Sequence, residues 1–188
     1  NVMRIAAEEL EAEERITVID SANLSTGIGL LVIEAAIMAQ KDHTAAEIVS
    51  AVEALKPNVR ASFVVDTLTY LYRGGRCNAV SAMAGGVLKL HPKIVVENGA
   101  MNASKKYRGK INSVIMAYVK DMENDLKAAR PDRVFITHSG CDRTIVEEVH
   151  SYLENLGVFS EILETRAGGV ISSHCGPGTL GVLFIKSM

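Results

Sequence analysis

Seven apolar residues, Ile111, Val114, Ile115, Tyr118, Val119, Met122 and Leu126, fall at offsets 0, 3, 4, 7, 8, 11 and 15 along the chain. This spacing keeps them on one face of an α-helix for about four turns, and that face must be covered by another layer. The flanking segments supply the layer. Residues 94–97 and 100–104 are β-prone and surround Asn98-Gly99, the dipeptide that best fits a tight hairpin turn. After Pro131, residues 133–137 read as a further strand. An amphipathic helix set between strands implies an α/β fold.

The remaining segments agree with that class. Residues 2–10 have helix-forming composition, and residues 15–20, Arg-Ile-Thr-Val-Ile-Asp, read as a short buried strand. Ser25 is placed to cap a helix that is apolar nearly all round, and so is expected at the centre of a core. Thr44 and Glu47 have capping-box spacing, and the helix they open is stopped by Pro57. Residues 61–65 form a strand, and a short helix from Asp66 ends at Gly74-Gly75. Residues 79–90 read as helix, diluted by Gly85 and Gly86. Asp142 and Gly157 bracket another helix, and residues 161–165 are a strand. The ending, residues 170–185, reads as two β-like runs about Cys175-Gly-Pro-Gly-Thr179. A boundary near residues 56–60 divides the chain into 1–57 and 58–188.

Composition excludes several classes of function. At 48% hydrophobic and 22% charged, the 188-residue chain is that of a globular protein, with a net charge of −2 that favours neither nucleic acid nor a membrane surface. The longest oily stretch, residues 28–39, contains Glu34 and is shorter than the roughly 18–20 residues of a membrane span. Its glutamate-rich opening lacks the pattern of a secretory signal. Three cysteines, Cys77, Cys141 and Cys175, in no pairing motif suit a reducing cytoplasm. The chain starts at Asn1 within helix-forming sequence, as expected of a piece of something longer.

The densest candidate for chemistry is Ser172-Ser-His-Cys-Gly-Pro-Gly-Thr-Leu-Gly181. Its glycines and proline imply a sharp turn with exposed backbone N–H groups, on which Ser172, Ser173, His174, Gly176 and Thr179 could converge to hold an anion. The competing reading is a tight strand connection with a hydrogen-bonded histidine. No Gly-Lys-[Ser/Thr] follows, so the turn is not a P-loop, and Gly27-Ile-Gly29 lacks the third glycine of a dinucleotide fingerprint. His138, Cys141, His174 and Cys175 lack the usual spacing of zinc ligands, and no metal is expected. A small hydrolase or transferase using Cys175 and His174 is the alternative function. Lys105, Lys106, Arg108 and Lys110 are expected at a solvated hairpin end. Arg76, just past Gly74-Gly75, is a second basic candidate.

Taken in order, these motifs resemble the DegV family of bacterial fatty-acid-binding proteins. They are Val18-Ile-Asp-Ser21, Ser25-Thr-Gly-Ile-Gly29, Phe63-Val-Val-Asp-Thr-Leu68 and Tyr70-Leu-Tyr-Arg-Gly-Gly-Arg76, then Lys106-Tyr-Arg-Gly109, His138-Ser-Gly140 and His174-Cys-Gly-Pro-Gly-Thr-Leu-Gly181. The resemblance runs over essentially the whole chain. It implies a two-domain α/β protein: an incomplete parallel-sheet first domain, a mixed α/β second domain, and one long-chain fatty acid between them. It also implies a lipid-binding accessory subunit, not an enzyme, which needs no cofactor and presents the fatty acid carboxylate to a partner fatty acid kinase. Burying about fifteen methylenes contributes on the order of 12 kcal/mol, so the hydrocarbon can hold the ligand while a few polar groups orient its head. On that resemblance His174 is the first head-group candidate, with Ser172, Ser173, Gly176 and Thr179 around it. Arg76 and Arg108 are candidates for the partner or the acyl phosphate. The family begins with a further stretch carrying hydroxyl-bearing head-group motifs. Without it, exposed apolar surface is expected along residues 16–39. Cys77 and Leu90-His91-Pro92 depart from the family pattern.

Overall fold

The computed structural model describes residues 2–76 and 90–187. Cys77 and the helix expected over residues 79–90 lie outside that range, apart from Leu90. Six strands form one mixed sheet: β1 (Val59–Val64), β2 (Leu90–Glu97), β3 (Ala100–Arg108), β4 (Ala129–Ser139), β5 (Glu161–Arg166) and β6 (Thr179–Lys186). Their order across the sheet is β3-β2-β1-β6-β4-β5, antiparallel throughout except for the parallel β4–β5 pair.

Helices cover both faces. α5 (Ile111–Asp121), α6 (Glu123–Lys127) and α7 (Arg143–Leu156) lie on one. On the other lie α2 (Thr26–Gln40), α3 (Ala45–Leu55), α4 (Thr69–Arg73) and α8 (Gly169–Cys175), while α1 (Val2–Glu9) precedes them in the chain. Strand alternation sorts the core between the faces. Leu180, Val182 and Phe184 of β6 point to the α5–α7 side, and Leu183 and Ile185 to the other. Cover on both sides explains why β6 is a continuous apolar run buried from Thr179 to Ile185.

The amphipathic face from Ile111 to Leu126 is distributed over α5 and α6, and buries Val114, Ile115, Tyr118, Val119, Met122 and Leu126. Tyr118 is fully buried, yet its hydroxyl is satisfied. It donates to the Ser62 carbonyl at 2.7 Å and accepts the Val182 N–H at 3.0 Å. Burial pushes its phenol pKa up, so it stays protonated. Replacing Tyr118 by phenylalanine is expected to remove the hydroxyl that bridges the Val182 N–H and the Ser62 carbonyl and to cost about 1–3 kcal/mol in urea unfolding. A loss near zero would show that the bond is dispensable.

The capping box at Thr44–Glu47 and the αL stop at Gly157 form as expected. The Asn98-Gly99 turn has positive φ at both residues, as a primed hairpin turn requires. The hairpin is longer than expected, so Lys105 and Lys106 lie along edge strand β3 and Arg108 closes it opposite Leu90, with Lys105 paired to Asp121. Lysines there discourage pairing with another sheet.

Four other readings are corrected. Residues 15–20 form no strand: nothing among the described residues supplies a ladder beside them, and Ile16 is 42% exposed. Residues 169–175 form helix α8 in place of the first β-like run. Ser25 and Asp142 occupy N-cap positions, but their side chains make no capping hydrogen bond. Finally, α2 lies on the surface of the sheet, not at the core's centre. It buries Gly27, Leu30 and Leu31 but leaves Ile28 41% and Val32 59% exposed, so the expected exposed apolar surface is present. Its Glu34 has a defined role: it accepts from Arg130 at 3.0 Å and from Arg133 at 2.7 Å, tying α2 to β4.

Candidate functional site

A cavity of about 310 Å³ lies between the sheet and the α4–α8 pair. Ala61 and Phe63 of β1, Val96 of β2, Met101 of β3 and Leu183 of β6 make an apolar floor. Leu71 of α4 and Ile171 and Cys175 of α8 add to it. Polar groups come from other elements: Asn23 and Ser25 before α2, Thr137, His138 and Ser139 at the end of β4, His174 on α8, and Thr179 opening β6. An oily floor with a restricted polar region is the construction of a site for an apolar molecule with one polar end.

Two glycines bring α4 and α8 together. A Cβ at Gly74 would lie 2.9 Å from Cε1 of His174, and one at Gly176 would lie 2.6 Å from Cε2 of Tyr70. Gly176 also has φ +79°, in the left-handed region. The histidine ring is therefore fixed by contact with bare backbone. Among the described residues His174 makes no hydrogen bond; Nδ1 is the ring atom nearest Gly74, which leaves Nε2 as the nitrogen open to a ligand. Thr179 faces the cavity but donates its hydroxyl to the Cys175 carbonyl at 3.0 Å. Ser139 donates to the Gly176 carbonyl, and the Gly178 N–H returns to the Ser139 carbonyl at 3.1 Å, so β4 holds the turn that follows α8. Arg76 reaches the rim, with Nη1 donating to the Gly74 carbonyl at 2.7 Å.

The structure thus brings together His174, Thr179 and Arg76 of the residues singled out in the sequence. Ser172, Ser173 and Gly176 do not line the cavity. Because residues 169–175 are helical, the Ser172 hydroxyl donates back to the Ala167 carbonyl at 3.0 Å and that of Ser173 to the Val170 carbonyl at 2.9 Å. The expected convergence of both serines on one spot does not form. Arg108 is exposed on β3, away from the cavity lining. Sequence reading missed Asn23, Ser25, Thr137 and Ser139. The signal that could have found the first two is the small polar run after Asp20. It folds into side-chain turns in which Asp20 accepts the Ala22 N–H at 2.9 Å and Ser21 the Asn23 N–H at 3.3 Å.

His138 is engaged on both sides. Nδ1 accepts the Cys141 N–H at 3.3 Å, which puts the proton on Nε2, 3.4 Å from Glu164; Arg143 grips both oxygens of that glutamate at 3.0 Å. Burial pushes the Cys175 and Cys141 thiols up to about 11, with Asp142 adding to the rise at Cys141. Both are protonated, weakly nucleophilic thiols at neutral pH. Among the described residues no group of three or more His, Cys, Asp or Glu side chains could hold a metal ion.

Residues 1–187 match a family model described as uncharacterised protein, DegV family. The chain belongs to the DegV family. A DegV domain-containing protein of Caldanaerobacter subterraneus subsp. tengcongensis is 32% identical over 182 residues, which is 96% of this chain and 64% of the relative. One from Clostridium perfringens is 33% identical over 192 residues, or 98% and 64% of the two chains. This DegV chain therefore spans just under two thirds of the length of those relatives. Among solved structures, a fatty-acid-binding DegV protein of Thermus thermophilus superposes with a TM-score of 0.85 at 27% identity, covering 98% of this chain and 65% of the other. The fatty acid kinase B3 protein of Streptococcus pneumoniae, loaded with linoleic acid, shares the fold with a TM-score of 0.81 at 18% identity, over 98% and 64% of the chains.

Proposed function

We propose that this DegV chain forms one side of a site for a long-chain fatty acid and that the whole protein presents the bound carboxylate to a fatty acid kinase in the cytoplasm. The observation that carries the reading is the cavity, with its apolar floor from β1, β2, β3 and β6 and, at its polar region, a His174 that makes no hydrogen bond among the described residues. Its lining includes Asn23, Leu24 and Ser25 from residues 1–57 and the sheet from residues 58–188, which supports a ligand held between two domains along that boundary. Names borne by similar proteins add weight: the Thermus relative is described by its fatty acid binding and the Streptococcus one as a kinase component.

In this reading the alkyl chain lies on Phe63, Met101 and Leu183. His174 and the hydroxyls of Ser25 and Thr137 meet the carboxylate, and Arg76 at the rim meets the partner or the acyl phosphate. The exposed Arg108 acts on association with the kinase, where a surface charge has most effect. The protein is an accessory that binds and presents; phosphoryl transfer belongs to its partner. Nothing in the site favours the hydrolase alternative, because the Cys175 thiol is held protonated and hydrogen-bonds no base among the described residues.

Native mass spectrometry of the chain expressed in bacteria tests the reading. The expected spectrum contains adducts whose masses, after extraction, are those of long-chain fatty acids. His174→Ala is expected to lower their occupancy several-fold while Arg108→Ala leaves it unchanged. Adducts of another lipid class, or full occupancy in His174→Ala, would overturn it.

A further inference from the structure

Strand register fixes the order of the side chains along the floor of the first cavity. Thr137 of β4 is paired with Gly181 of β6, and Gly181 with Phe63 of β1. Two residues along, on the same face, Leu183 of β6 is paired with Ala61 of β1, Ala61 with Val96 of β2, and Val96 with Met101 of β3. All of them line the cavity. Its polar end is at β4 and the start of β6, where Thr137, Ser139 and Thr179 stand. Its far end is made by Ala61, Val96 and Met101. From β4 to β3 is four strand spacings of about 4.8 Å, a path of ~19 Å, which an extended acyl chain of about sixteen carbons covers.

Past that end the surroundings change character. A second cavity, of about 610 Å³, shares Asn23, Ala61 and Val96 with the first, so these three residues form the neck between the two. The Asn23 carboxamide oxygen is already occupied there, accepting the Leu24 N–H at 3.0 Å. Beyond the neck the wall carries Lys56, Arg60, Lys93, Glu97 and Asp125. The hairpin tip and the segment before α2 lie side by side at the same end: a Cβ at Gly99 would be 3.7 Å from Cα and Cβ of Ala22. Each methylene that leaves water for apolar surroundings tightens binding about fourfold. Carbons lying on the floor gain that factor. Carbons pushed through the neck meet charged side chains and gain little of it.

We propose that Ala61, Val96 and Met101 set the acyl-chain length, stopping the methyl end of a saturated acid of about sixteen carbons at the neck. Length selection rests on the fatty acid site proposed above and concerns which acids that site prefers. Native mass spectrometry of the delipidated 188-residue chain, in competition with equimolar lauric, myristic, palmitic, stearic and arachidic acids below their aggregation limits, reads the affinity ratios. Each two-carbon step up to palmitic acid is expected to raise affinity about sixteenfold, and each step beyond it about twofold at most. Ala61→Leu fills the neck and is expected to move the break to myristic acid. Met101→Ala shortens a half-buried side chain on the edge strand and is expected to move it to stearic acid. Melting temperatures report folding, and either variant decides the question if the other does not fold. Affinity that climbs evenly to arachidic acid, or a break that stays at palmitic acid in the folded variants, would overturn length selection and leave the fatty acid site standing. No saturable binding of any acid would overturn the site itself, and length selection with it.

Discussion

Replacing Gly176 by alanine is expected to separate α8 from α4 and to cost about 3 kcal/mol, because two penalties coincide. The residue has φ +79°, which an L side chain adopts at a cost, and the new Cβ would lie 2.6 Å from Cε2 of Tyr70 and nearer still to Cδ2. The backbone cannot retreat, since the Gly176 carbonyl accepts from Ser139 and its N–H bonds the Ser172 carbonyl at 2.8 Å. Gly75→Ala is the matched control. Its φ is +72°, yet no atom of the described residues lies within 4 Å of the added Cβ, so only the conformational part, about 1 kcal/mol, should be lost. Urea unfolding of the two variants separates the penalties. Tyr70→Ala should recover much of the difference in the Gly176→Ala background, and equal losses at both glycines would refute the steric part.

Glu34→Ala is the other substitution with a large expected effect, about 2–3 kcal/mol. The Glu34 side chain is 13% exposed and that of Arg133 12%, so removing the carboxylate leaves a largely buried guanidinium short of its acceptor. The loss is smaller than for an isolated buried pair. Arg133 keeps Glu161 at 3.2 Å, Arg130 keeps Asp132, and Arg130 is open enough for solvent to screen it. Glu34→Gln retains an acceptor and should fall between the two. Denaturant titrations at low and high salt check this. A loss below about 0.5 kcal/mol would mean that α2 is held by Leu30 and Leu31 alone.

What could be read from the sequence follows from the range of the interactions. α5 was legible because helical periodicity over many residues is a local property, and the hairpin because Asn98-Gly99 fixes its own turn. The strand expected over residues 15–20 failed because an apolar β-branched run shows that a segment could pair without supplying the neighbour. α8 was misread because Val170 and Ile171 suggest a strand, whereas the segment instead closes a helical bond from the Ser172 N–H to the Gly168 carbonyl at 2.9 Å. The role of Glu34 was hidden because its partners lie 96 and 99 positions away. The candidate site divides in the same way. His174, Thr179 and Arg76 stand in conspicuous glycine-rich motifs. Thr137, by contrast, enters through a contact of its hydroxyl with that of Thr26, 2.6 Å away across 111 positions. Ser172 and Ser173 drew attention only by adjacency, and helical geometry then turned their hydroxyls onto backbone carbonyls.

The central claim is that an alkyl chain lies on the apolar floor of the first cavity with its carboxylate toward His174. Its most direct test is an intermolecular NOE measurement on the chain loaded with uniformly ¹³C-labelled palmitic acid. Cross-peaks from the fatty acid methylenes to Phe63, Met101 and Leu183 are expected, together with a shift of the His174 ring resonances on loading. Cross-peaks confined to exposed residues such as Val2, Leu10 and Val32, with the His174 ring unmoved, would contradict it.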